Sequence, residues 1–327
     1  MDFNYQIPAP CQQIAQVLLQ SDNILVVPHI NIDGDDLGSM VACGQVLQSL
    51  GKNYYLYSPD GAPEIFRFMK GTAKIHTQLP AQAQFDLALV LECPQTSRLP
   101  QDLNLYQVCQ KVINLDHHPL NSLQADYNWI DSSFAALGEM LYFVFKAMEV
   151  EINRDCAEAL YTSIVSDSGS FRFPKVSSRT HQVAAHLVSI LGDISYIHNS
   201  IFSGFTLNDL KLQAMCMQTL KTYAEGKLVT ACLTEAMLQT CGVNENDTQM
   251  LLGRLNVLRG SKIFALFKAV VPGEVRVSLR STGPKINDIA AHHGGGGHDQ
   301  AAACRFRGPS LEEVYNLLLP ELLAKLN

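Results

Sequence analysis

The amino-acid sequence predicts an α/β protein with a doubly wound, mainly parallel sheet, followed by a smaller α+β domain. Short apolar runs in the first half are continuous, as expected for strands covered on both faces of a parallel sheet. Helical patterns lie between these runs, which is the strand–helix repetition of a doubly wound fold. The chain has 327 residues, enough for two domains that each bury a core.

Four apolar runs of the first half are the predicted strands, at residues 24–28, 54–57, 87–91 and 112–115. Helices are predicted over residues 12–19, 39–50 and 138–150, where apolar residues recur with helical spacing. In a doubly wound sheet, ligands bind beyond the carboxyl ends of the strands. Polar side chains that directly follow the predicted strands are therefore candidate site residues.

The second half begins with a predicted helix over residues 178–191 and a boundary at 192–206, where turn formers interrupt the pattern. Residues 208–223 are a predicted linking helix, and Ser310 and Glu313 have the capping-box spacing that begins a final helix. Strands are predicted at 229–233, 263–271, 275–279 and 301–306, with Pro272-Gly273 as a hairpin turn. The predicted domains are 1–195 and 223–327, joined by a linker helix region at 196–222.

Charge is unevenly distributed along the chain. The formal net charge is −7, whereas proteins that bind long duplex DNA are usually basic, so long duplex DNA is excluded as a partner. The segment from Arg254 to Arg307 contains nine Lys or Arg residues and three acidic residues, which gives it a net charge of about +6. A basic segment of this kind suits a small anionic substrate.

Cysteine usage and hydropathy indicate the cellular setting. Nine cysteines are scattered without a C-x-x-C pair, which argues against a thiolate zinc site and fits a reducing cytosol. No apolar run approaches the roughly 18 residues of a membrane span, and residues 1–5 lack the features of a targeting segment. We therefore expect a cytoplasmic protein with no membrane partner.

Histidine and carboxylate residues follow three of the predicted strands, namely His29, Asp33, Asp35, Glu92, Asp116 and His117. Buried imidazoles and carboxylates at strand ends are costly without a ligand that holds them together. The carboxyl ends of parallel strands meet at one edge, so these residues predict one metal site assembled across the sheet. Mixed imidazole and carboxylate ligation without thiolate favours Mn²⁺, with Mg²⁺, Co²⁺ or Fe²⁺ as alternatives.

The same motifs, in this order, resemble the DHH phosphoesterase superfamily. Asp116-His117-His118 is similar to the tripeptide that names it, His29-x-x-x-Asp33-x-Asp35 to its first motif, and Asp167 to its fourth. Gly294-Gly295-Gly296-Gly297-His298 and the pair Arg280-Ser281 are similar to motifs of the DHH-associated substrate-binding domain. The resemblance spans nearly the whole chain, and the domain pairing looks like the branch of oligoribonucleases, pAp phosphatases and cyclic-dinucleotide phosphodiesterases.

The resemblance implies two metal ions, expected to be Mn²⁺. His29 and Asp33 would hold the first ion, Asp35, His117 and Asp167 the second, and Glu92 would bridge them. Glu92 stands where the family has Asp, and its additional methylene shifts the carboxylate oxygens by about one bond length. We expect the backbone at Glu92 to retreat and compensate.

The resemblance also implies roles for the remaining site residues. Asp116 is expected to orient His117, and His118 to contact the phosphate or protonate the leaving oxygen. A water shared by the two ions would attack phosphorus in line. The substrate would be held by the C-terminal domain, through the residues Arg280, Ser281, Gly295, Gly296, Gly297 and His298.

These features favour a two-metal phosphoesterase that releases mononucleotides from short single-stranded oligonucleotides and removes phosphate from 3′-phosphoadenosine-5′-phosphate (pAp). A cyclic-dinucleotide phosphodiesterase using the same residues is the enzyme alternative. A nucleotide-binding regulatory protein, with catalysis impaired by Glu92, is the alternative of another class. A homodimer is the expected assembly.

Overall fold

A computed structural model describes residues 7–203, 206–243 and 258–326 of the chain. It divides into two compact units, Met1–Gly204 and Phe205–Asn327. The N-terminal unit is built on a six-stranded parallel sheet with helices, and the C-terminal unit on a second, mixed sheet. The predicted fold class, α/β with a smaller α+β part, is therefore confirmed.

The N-terminal unit alternates strands and helices along the chain. Its strands are β1 (Asn23–Pro28), β2 (Asn53–Tyr57), β3 (Ile75–His76), β4 (Phe85–Leu91), β5 (Cys109–Asp116) and β6 (Tyr127–Ile130). Its helices are α1 (Ala9–Gln20), α2 (Gly34–Ser49), α3 (Leu105–Val108), α4 (Leu137–Ala147), α5 (Arg154–Asp167), α6 (Ser178–Leu191) and α7 (Ser195–Phe202). Short 3₁₀ helices occupy Glu64–Phe66, Lys70–Lys74 and Thr96–Arg98.

The strand order β3-β2-β1-β4-β5-β6 makes β4 the neighbour of both β1 and β5. All of these pairings are parallel. The strands β1, β4 and β5 are buried along most of their length, which explains their continuous apolar runs. Because parallel strands end at the same edge, the residues that follow β1, β4 and β5 are brought side by side.

Helix α2 begins five residues earlier than the sequence predicts. Its N-cap is Asp33, whose Oδ1 accepts the backbone N–H groups of Asp35 at 2.9 Å and Asp36 at 3.2 Å. Of the first motif, His29 therefore lies in the loop after β1, Asp33 is the N-cap of α2, and Asp35 lies in the first turn of that helix. Gly38 permits close packing of α2 on α5, since a Cβ there would lie 2.5 Å from the carbonyl oxygen of Ala159.

Several elements of this unit escape sequence analysis. The edge strands β3 and β6 have only two and four residues, too few for a periodic signal. Helix α5 is also unpredicted, although its last residue is Asp167. The end of a helix is thus the element that brings Asp167 to the edge of the sheet.

The C-terminal unit contains the strands β7 (Lys221–Tyr223), β8 (Leu228–Thr234), β9 (Ile263–Val271), β10 (Glu274–Ser281), β11 (Gly296–His298) and β12 (Ala301–Arg307). Its described helices are α8 (Leu207–Gln218), α9 (Glu235–Cys241), α10 (Asn287–His292) and α11 (Leu311–Ala324). The sheet order is β11-β12-β10-β9-β8-β7, and the β8–β9 pair is parallel while the other pairs are antiparallel.

Two sequence predictions for this unit have clear outcomes. The hairpin turn at Pro272-Gly273 joins β9 to β10, and the capping box of Ser310 and Glu313 begins α11, so both are confirmed. The predicted helix at 208–223 is wrong in its last turn, where the chain forms β7 and pairs with β8. Pairing with a neighbouring strand overrides the helical pattern there.

The predicted linker region at 196–222 is distributed between the two units. Helix α7 contacts α5 in the N-terminal unit, and α8 contacts α9 and β8 in the C-terminal unit. In the described residues no helix is long and apolar enough to cross a membrane. The predicted domain ranges stay predictions.

Candidate metal centre

The first of two neighbouring clusters lies at the ends of β1 and β4. It contains His29, Asp33, Asp36 and Glu92, each with one ligand-type atom within 4.8 Å of the others. His29 Nδ1 lies 2.8 Å from the carbonyl oxygen of Ile30, which accepts a hydrogen bond from that nitrogen. In a neutral imidazole the Nε2 atom of His29 then presents its lone pair to the cluster.

The second cluster lies around the buried imidazole of His117, after β5. Its Nδ1 is 3.2 Å from the carbonyl oxygen of Phe134, while three carboxylates face its Nε2 atom. The distances from Nε2 are 3.0 Å to Glu92, 3.4 Å to Asp35 and 3.5 Å to Asp167. The lone pair of an imidazole again faces carboxylate oxygens, an arrangement that a cation would hold together.

Glu92 belongs to both clusters because β4 lies between β1 and β5. Its backbone has a φ of +53°, in the left-handed region that costs a non-glycine residue of the order of 1 kcal/mol. Its amide nevertheless donates to the carbonyl oxygen of Leu115 at 2.8 Å, which continues the pairing of β4 with β5. The left-handed turn directs the longer Glu side chain between the two clusters.

Asp35 is held from several sides. Its Oδ2 accepts the backbone N–H of Leu137 at 2.7 Å, and its Oδ1 accepts that of Gly138 at 3.3 Å, both at the start of α4. The Ser163 hydroxyl also donates to Oδ1. These contacts fix the carboxylate at a helix N-terminus, where negative charge is favoured.

The buried carboxyl groups resist ionisation together. Burial raises the pKa of Asp35 to about 7, and burial followed by the neighbouring carboxylates raises the pKa values of Glu92 and Asp36 well above their ordinary range. Burial also raises the pKa of Asp167. The pKa of His29 falls to about 3, first through burial and then through the charge of Arg98. Divalent cations would replace the protons that such a site otherwise retains.

The residues present fit a pair of divalent cations. Glu92 Oε2 and both carboxylate oxygens of Asp36 are buried, and no described residue hydrogen-bonds to them. The donors are imidazole nitrogens and carboxylate oxygens without thiolate, the set preferred by Mn²⁺ and related ions. Asp35, His117 and Asp167 group together, as predicted for the second ion, and His29, Asp33 and Glu92 group in the other cluster.

Asp116 takes a position that differs from the prediction. The sequence analysis assigns it to His117, but its Oδ1 lies 2.7 Å from Nδ1 of His118 and accepts the His118 backbone N–H at 2.9 Å. The imidazole of His117 is instead oriented by the carbonyl oxygen of Phe134, which lies near its Nδ1 atom. The reason is the alternation of side chains along an extended chain, which puts residues 116 and 118 on one side and 117 on the other.

This contact sets the charge of Asp116. Burial alone would raise its pKa, but the hydrogen bonds and charge of His118, together with the Asn121 amide, outweigh burial and lower it to about 2. Asp116 is therefore ionised at neutral pH. It favours the Nδ1–H form of His118, which leaves Nε2 of that imidazole able to accept or, when protonated, to donate a proton.

Sequence analysis misses three residues at this edge of the sheet. Asp36 is fully buried in the first cluster and was visible as the acidic residue next to Asp35. Arg98, in a 3₁₀ helix after β4, acts on His29 and Asp36 through its charge. Lys175 donates to the carbonyl oxygen of His117 at 3.1 Å. Arg98 lies in a three-residue 3₁₀ helix and Lys175 in a turn, and neither segment is periodic enough to identify these residues from the sequence.

In the C-terminal unit, Arg280 and His298 lie on one row of the mixed sheet. Both are in register with Ala301, Arg280 on β10 and His298 on β11, so the three side chains share a face. The next row on that face consists of Ser278, Ala303 and Gly296. The other residues of these two rows are therefore small, with one alanine between Arg280 and His298.

The predicted glycine run and Ser281 also have structural roles. A Cβ at Gly295 would lie 2.1 Å from the carbonyl oxygen of Ala303, and one at Gly297 would lie 2.4 Å from that of Ala301. These two glycines therefore let β11 lie against β12. Gly296 has open space at its Cβ position. Ser281 is buried and donates its hydroxyl to the carbonyl oxygen of Pro284 at 2.5 Å.

The surrounding basic segment is partly neutralised within the unit. Glu274 pairs with Arg276 at 2.6 Å, Arg305 at 3.3 Å and Arg307 at 3.7 Å, and Lys285 pairs with Asp299 at 2.8 Å. Three arginines around one glutamate still leave an excess of positive charge on β10 and β12. Arg254, the first residue of the predicted basic segment, lies outside the described residues.

Comparison with known families agrees with this geometry. The profile described as the DHH family, N-terminal domain, matches residues 23–164, and that of the DHHA1 domain matches residues 227–326. The chain contains a DHH N-terminal domain and a DHHA1 domain. The first match includes both strand-end clusters except Asp167, and the second includes the row of Arg280 and His298.

Similar proteins cover nearly the whole length of this DHH protein. The bifunctional oligoribonuclease and PAP phosphatase NrnA of Bacillus subtilis is 26% identical over 86% of the chain and 88% of its own length. The protein of the same name from Thermus thermophilus is 27% identical over 94% and 91%. A crystal structure of an exopolyphosphatase-related protein from Bacteroides fragilis has a TM-score of 0.86 at 20% identity and covers 96% of each chain, which shows a shared fold.

Proposed function

We propose that this DHH phosphoesterase uses two divalent metal ions, Mn²⁺ by preference, to hydrolyse short oligonucleotides to mononucleotides and pAp to AMP. One observation carries the proposal: the Nε2 atoms of His29 and His117 each face buried carboxylates, and Glu92 lies between the two clusters. The names of the NrnA relatives support the same reaction class.

The proposed ligands follow from the clusters. His29, Asp33 and Glu92 would hold one ion, and Glu92, Asp35, His117 and Asp167 would hold the other. Such a pair of ions, when bound, neutralises charge on the phosphate and makes water acidic enough to be a nucleophile near neutral pH. The backbone carbonyls at Ile30 and Phe134 keep both imidazoles in the tautomer that binds metal through Nε2.

His118 is the proposed proton donor to the leaving oxygen. Its Nδ1 is held by Asp116, and the proposed proton transfer uses its Nε2. The carboxylate of Asp116 fixes the orientation of the His118 ring through this hydrogen bond. After bond cleavage the imidazole is neutral and regains its proton from water.

The C-terminal unit is the proposed source of substrate contacts. Arg280 and His298 would contact a phosphate or a base, while Gly296 leaves room on the same face. Ser281, Gly295 and Gly297 would act by shaping this surface. A local basic surface on an acidic protein favours a substrate of a few nucleotides over a long polyanion.

The decisive experiment measures Mn²⁺-dependent turnover of a dinucleotide, a pentanucleotide, pAp and a cyclic dinucleotide. We expect turnover of the first three, with loss of activity after chelation and in His118→Asn, which should still bind two metal ions. Turnover of the cyclic form alone would replace the proposal with a cyclic-dinucleotide phosphodiesterase. Binding without turnover of any substrate would favour a nucleotide-binding regulatory protein.

A further inference from the structure

We propose that Asp36 is a further ligand of the first metal ion, so that four side chains hold this ion: His29, Asp33, Asp36 and Glu92. The proposal rests on the proposed two-metal function and adds a residue that neither the motif comparison nor the family resemblance identifies. It predicts a first site with one carboxylate more than the motif implies.

Asp36 is placed for this role by the early start of α2. It lies in the first turn of the helix, next to the end of β1, and is fully buried. Its Oδ2 lies 3.0 Å from Nε2 of His29. No described residue donates a hydrogen bond to either of its carboxylate oxygens. A buried carboxylate without donors is strongly unfavourable unless a cation compensates it.

The tautomer of His29 explains why this contact needs a cation. The carbonyl oxygen of Ile30, 2.8 Å from Nδ1, can only accept, so the imidazole proton is on Nδ1. Nε2 of the neutral ring therefore directs a lone pair at the carboxylate of Asp36 across 3.0 Å. Two lone pairs at this distance repel each other unless a proton or a metal ion lies between them.

The spacing itself suits a shared ion. Two adjacent ligands of an octahedral ion with bonds of about 2.1 Å lie about 3.0 Å apart. His29 Nε2 and Asp36 Oδ2 have this separation, as do His117 Nε2 and Glu92 Oε1 in the second cluster. The His29–Asp36 pair thus has the same spacing between ligand atoms as the His117–Glu92 pair, which is already proposed to bind metal.

The neighbouring charges point the same way. Asp36 lies in one cluster with the carboxylates of Asp33 and Glu92, and no described residue hydrogen-bonds to its oxygens. By contrast, Asp35 in the second cluster is compensated by the N-terminus of α4. Asp36 also lies in the first turn of a helix, but no described residue donates a hydrogen bond to its oxygens. We therefore expect the first ion to be bound more tightly than the second.

The test compares wild type with Asp36→Asn and with a control, Glu158→Gln, all prepared free of metal. Glu158 is a half-buried carboxylate of the same unit that bonds to the Tyr196 hydroxyl, outside both clusters. Mn²⁺ is titrated by calorimetry, and thermal unfolding is recorded with and without Mn²⁺. Asp36→Ala is measured in parallel, in case the amide itself acts as a ligand.

We expect two Mn²⁺ ions in wild type and in Glu158→Gln. In Asp36→Asn the tighter binding event should weaken by about tenfold or more, while the weaker event remains. Metal-free Asp36→Asn should also unfold at a higher temperature than metal-free wild type, because the neutral amide replaces a buried carboxyl group that is tolerated only with a proton or an ion bound. A carboxylate with a merely structural role would lower stability with and without metal.

Two results overturn the proposal and differ from each other. Two-ion binding by both Asp36 variants with wild-type affinities would refute the role of Asp36 and leave the proposed function intact. Fewer than two ions in wild type would refute the proposed function and this inference with it. If neither variant folds, a crystal structure of wild type with Mn²⁺ decides, since an Mn²⁺–Asp36 distance of about 2.2 Å is required.

Discussion

Asp116 holds His118 through two contacts from the same oxygen, 2.7 Å to the imidazole Nδ1 and 2.9 Å to the backbone nitrogen. Asp116 and His118 therefore contact each other on one side of the chain. His117 lies on the other side and contacts the carboxylates of the candidate metal centre. Since the Asp116–His118 pair is buried, it contributes to stability as well as to the proposed proton transfer.

Asp116→Asn tests the stabilising part of this pair. The pKa of Asp116 is lowered to about 2, so the ionised carboxylate stabilises the fold above pH 4, and this contribution is lost as the pH falls toward 2. We expect the variant to lose about 2 kcal/mol of unfolding free energy at pH 7, measured by urea denaturation. The difference should shrink between pH 4 and pH 2. Equal stability of the two proteins at pH 7 would contradict the assignment.

Glu92→Asp tests how the longer side chain is accommodated. The backbone already adopts a left-handed conformation that brings Oε1 to 3.0 Å from His117 Nε2, so a shorter side chain should leave a gap. We expect weaker Mn²⁺ binding and at least about tenfold lower turnover, measured by calorimetry and a dinucleotide assay. Higher turnover in the variant would show instead that Glu92 impairs the enzyme.

Removal of metal should reverse the pH dependence of stability. The pKa of Asp35 is raised to about 7, and those of Glu92 and Asp36 are raised well above their ordinary range. A raised carboxyl pKa means that the metal-free fold is most stable while these groups are protonated, and loses stability as the pH rises from about 4 through 7. With Mn²⁺, stability should rise with pH, because binding releases protons.

Thermal unfolding between pH 5 and pH 8, with a chelator or with Mn²⁺, measures this reversal. His118→Asn provides a control that leaves the carboxylates intact. Identical pH profiles with and without metal would show that the clusters do not bind Mn²⁺ in the folded protein.

The glycine run permits a matched pair of substitutions. Gly295→Ala would place a Cβ 2.1 Å from the carbonyl oxygen of Ala303, whereas Gly296→Ala would place one in open space. We expect Gly295→Ala to destabilise the C-terminal unit by about 1–3 kcal/mol and Gly296→Ala to change stability by less than about 1 kcal/mol. Chemical denaturation of the full chain measures both. A larger effect at Gly296 would contradict the observed packing of β11 on β12.

Much of the fold could be predicted from the sequence because the central strands are covered on both faces. Continuous apolar runs mark β1, β4 and β5, and their ends locate His29, Glu92 and His117 at one edge. The edge strand β6 and the helix that ends at Asp167 lack comparable signals. Their positions depend on packing against the sheet, which a single sequence does not encode locally.

The sequence predicts which residues form the site better than it predicts which of them contact each other. Asp33 was expected as a ligand, but its second function as the N-cap of α2 determines where Asp36 lies. The sequence predicts a contact between Asp116 and His117, but Asp116 contacts His118. The side of an extended chain on which each side chain lies depends on its position in the strand. Such differences concern side-chain direction, which spacing along the chain does not specify.

The strand order also has a consequence for protein synthesis. Strands β1 and β4 pair directly, and the proposed ligands of the first ion end at Glu92. Asp167 follows Glu92 by 75 residues, which a ribosome adding about 5–20 residues per second needs about 4–15 seconds to produce. A growing chain therefore contains every ligand of the first ion before the second ion has its full set, and the order of translation matches the proposed order of metal affinity.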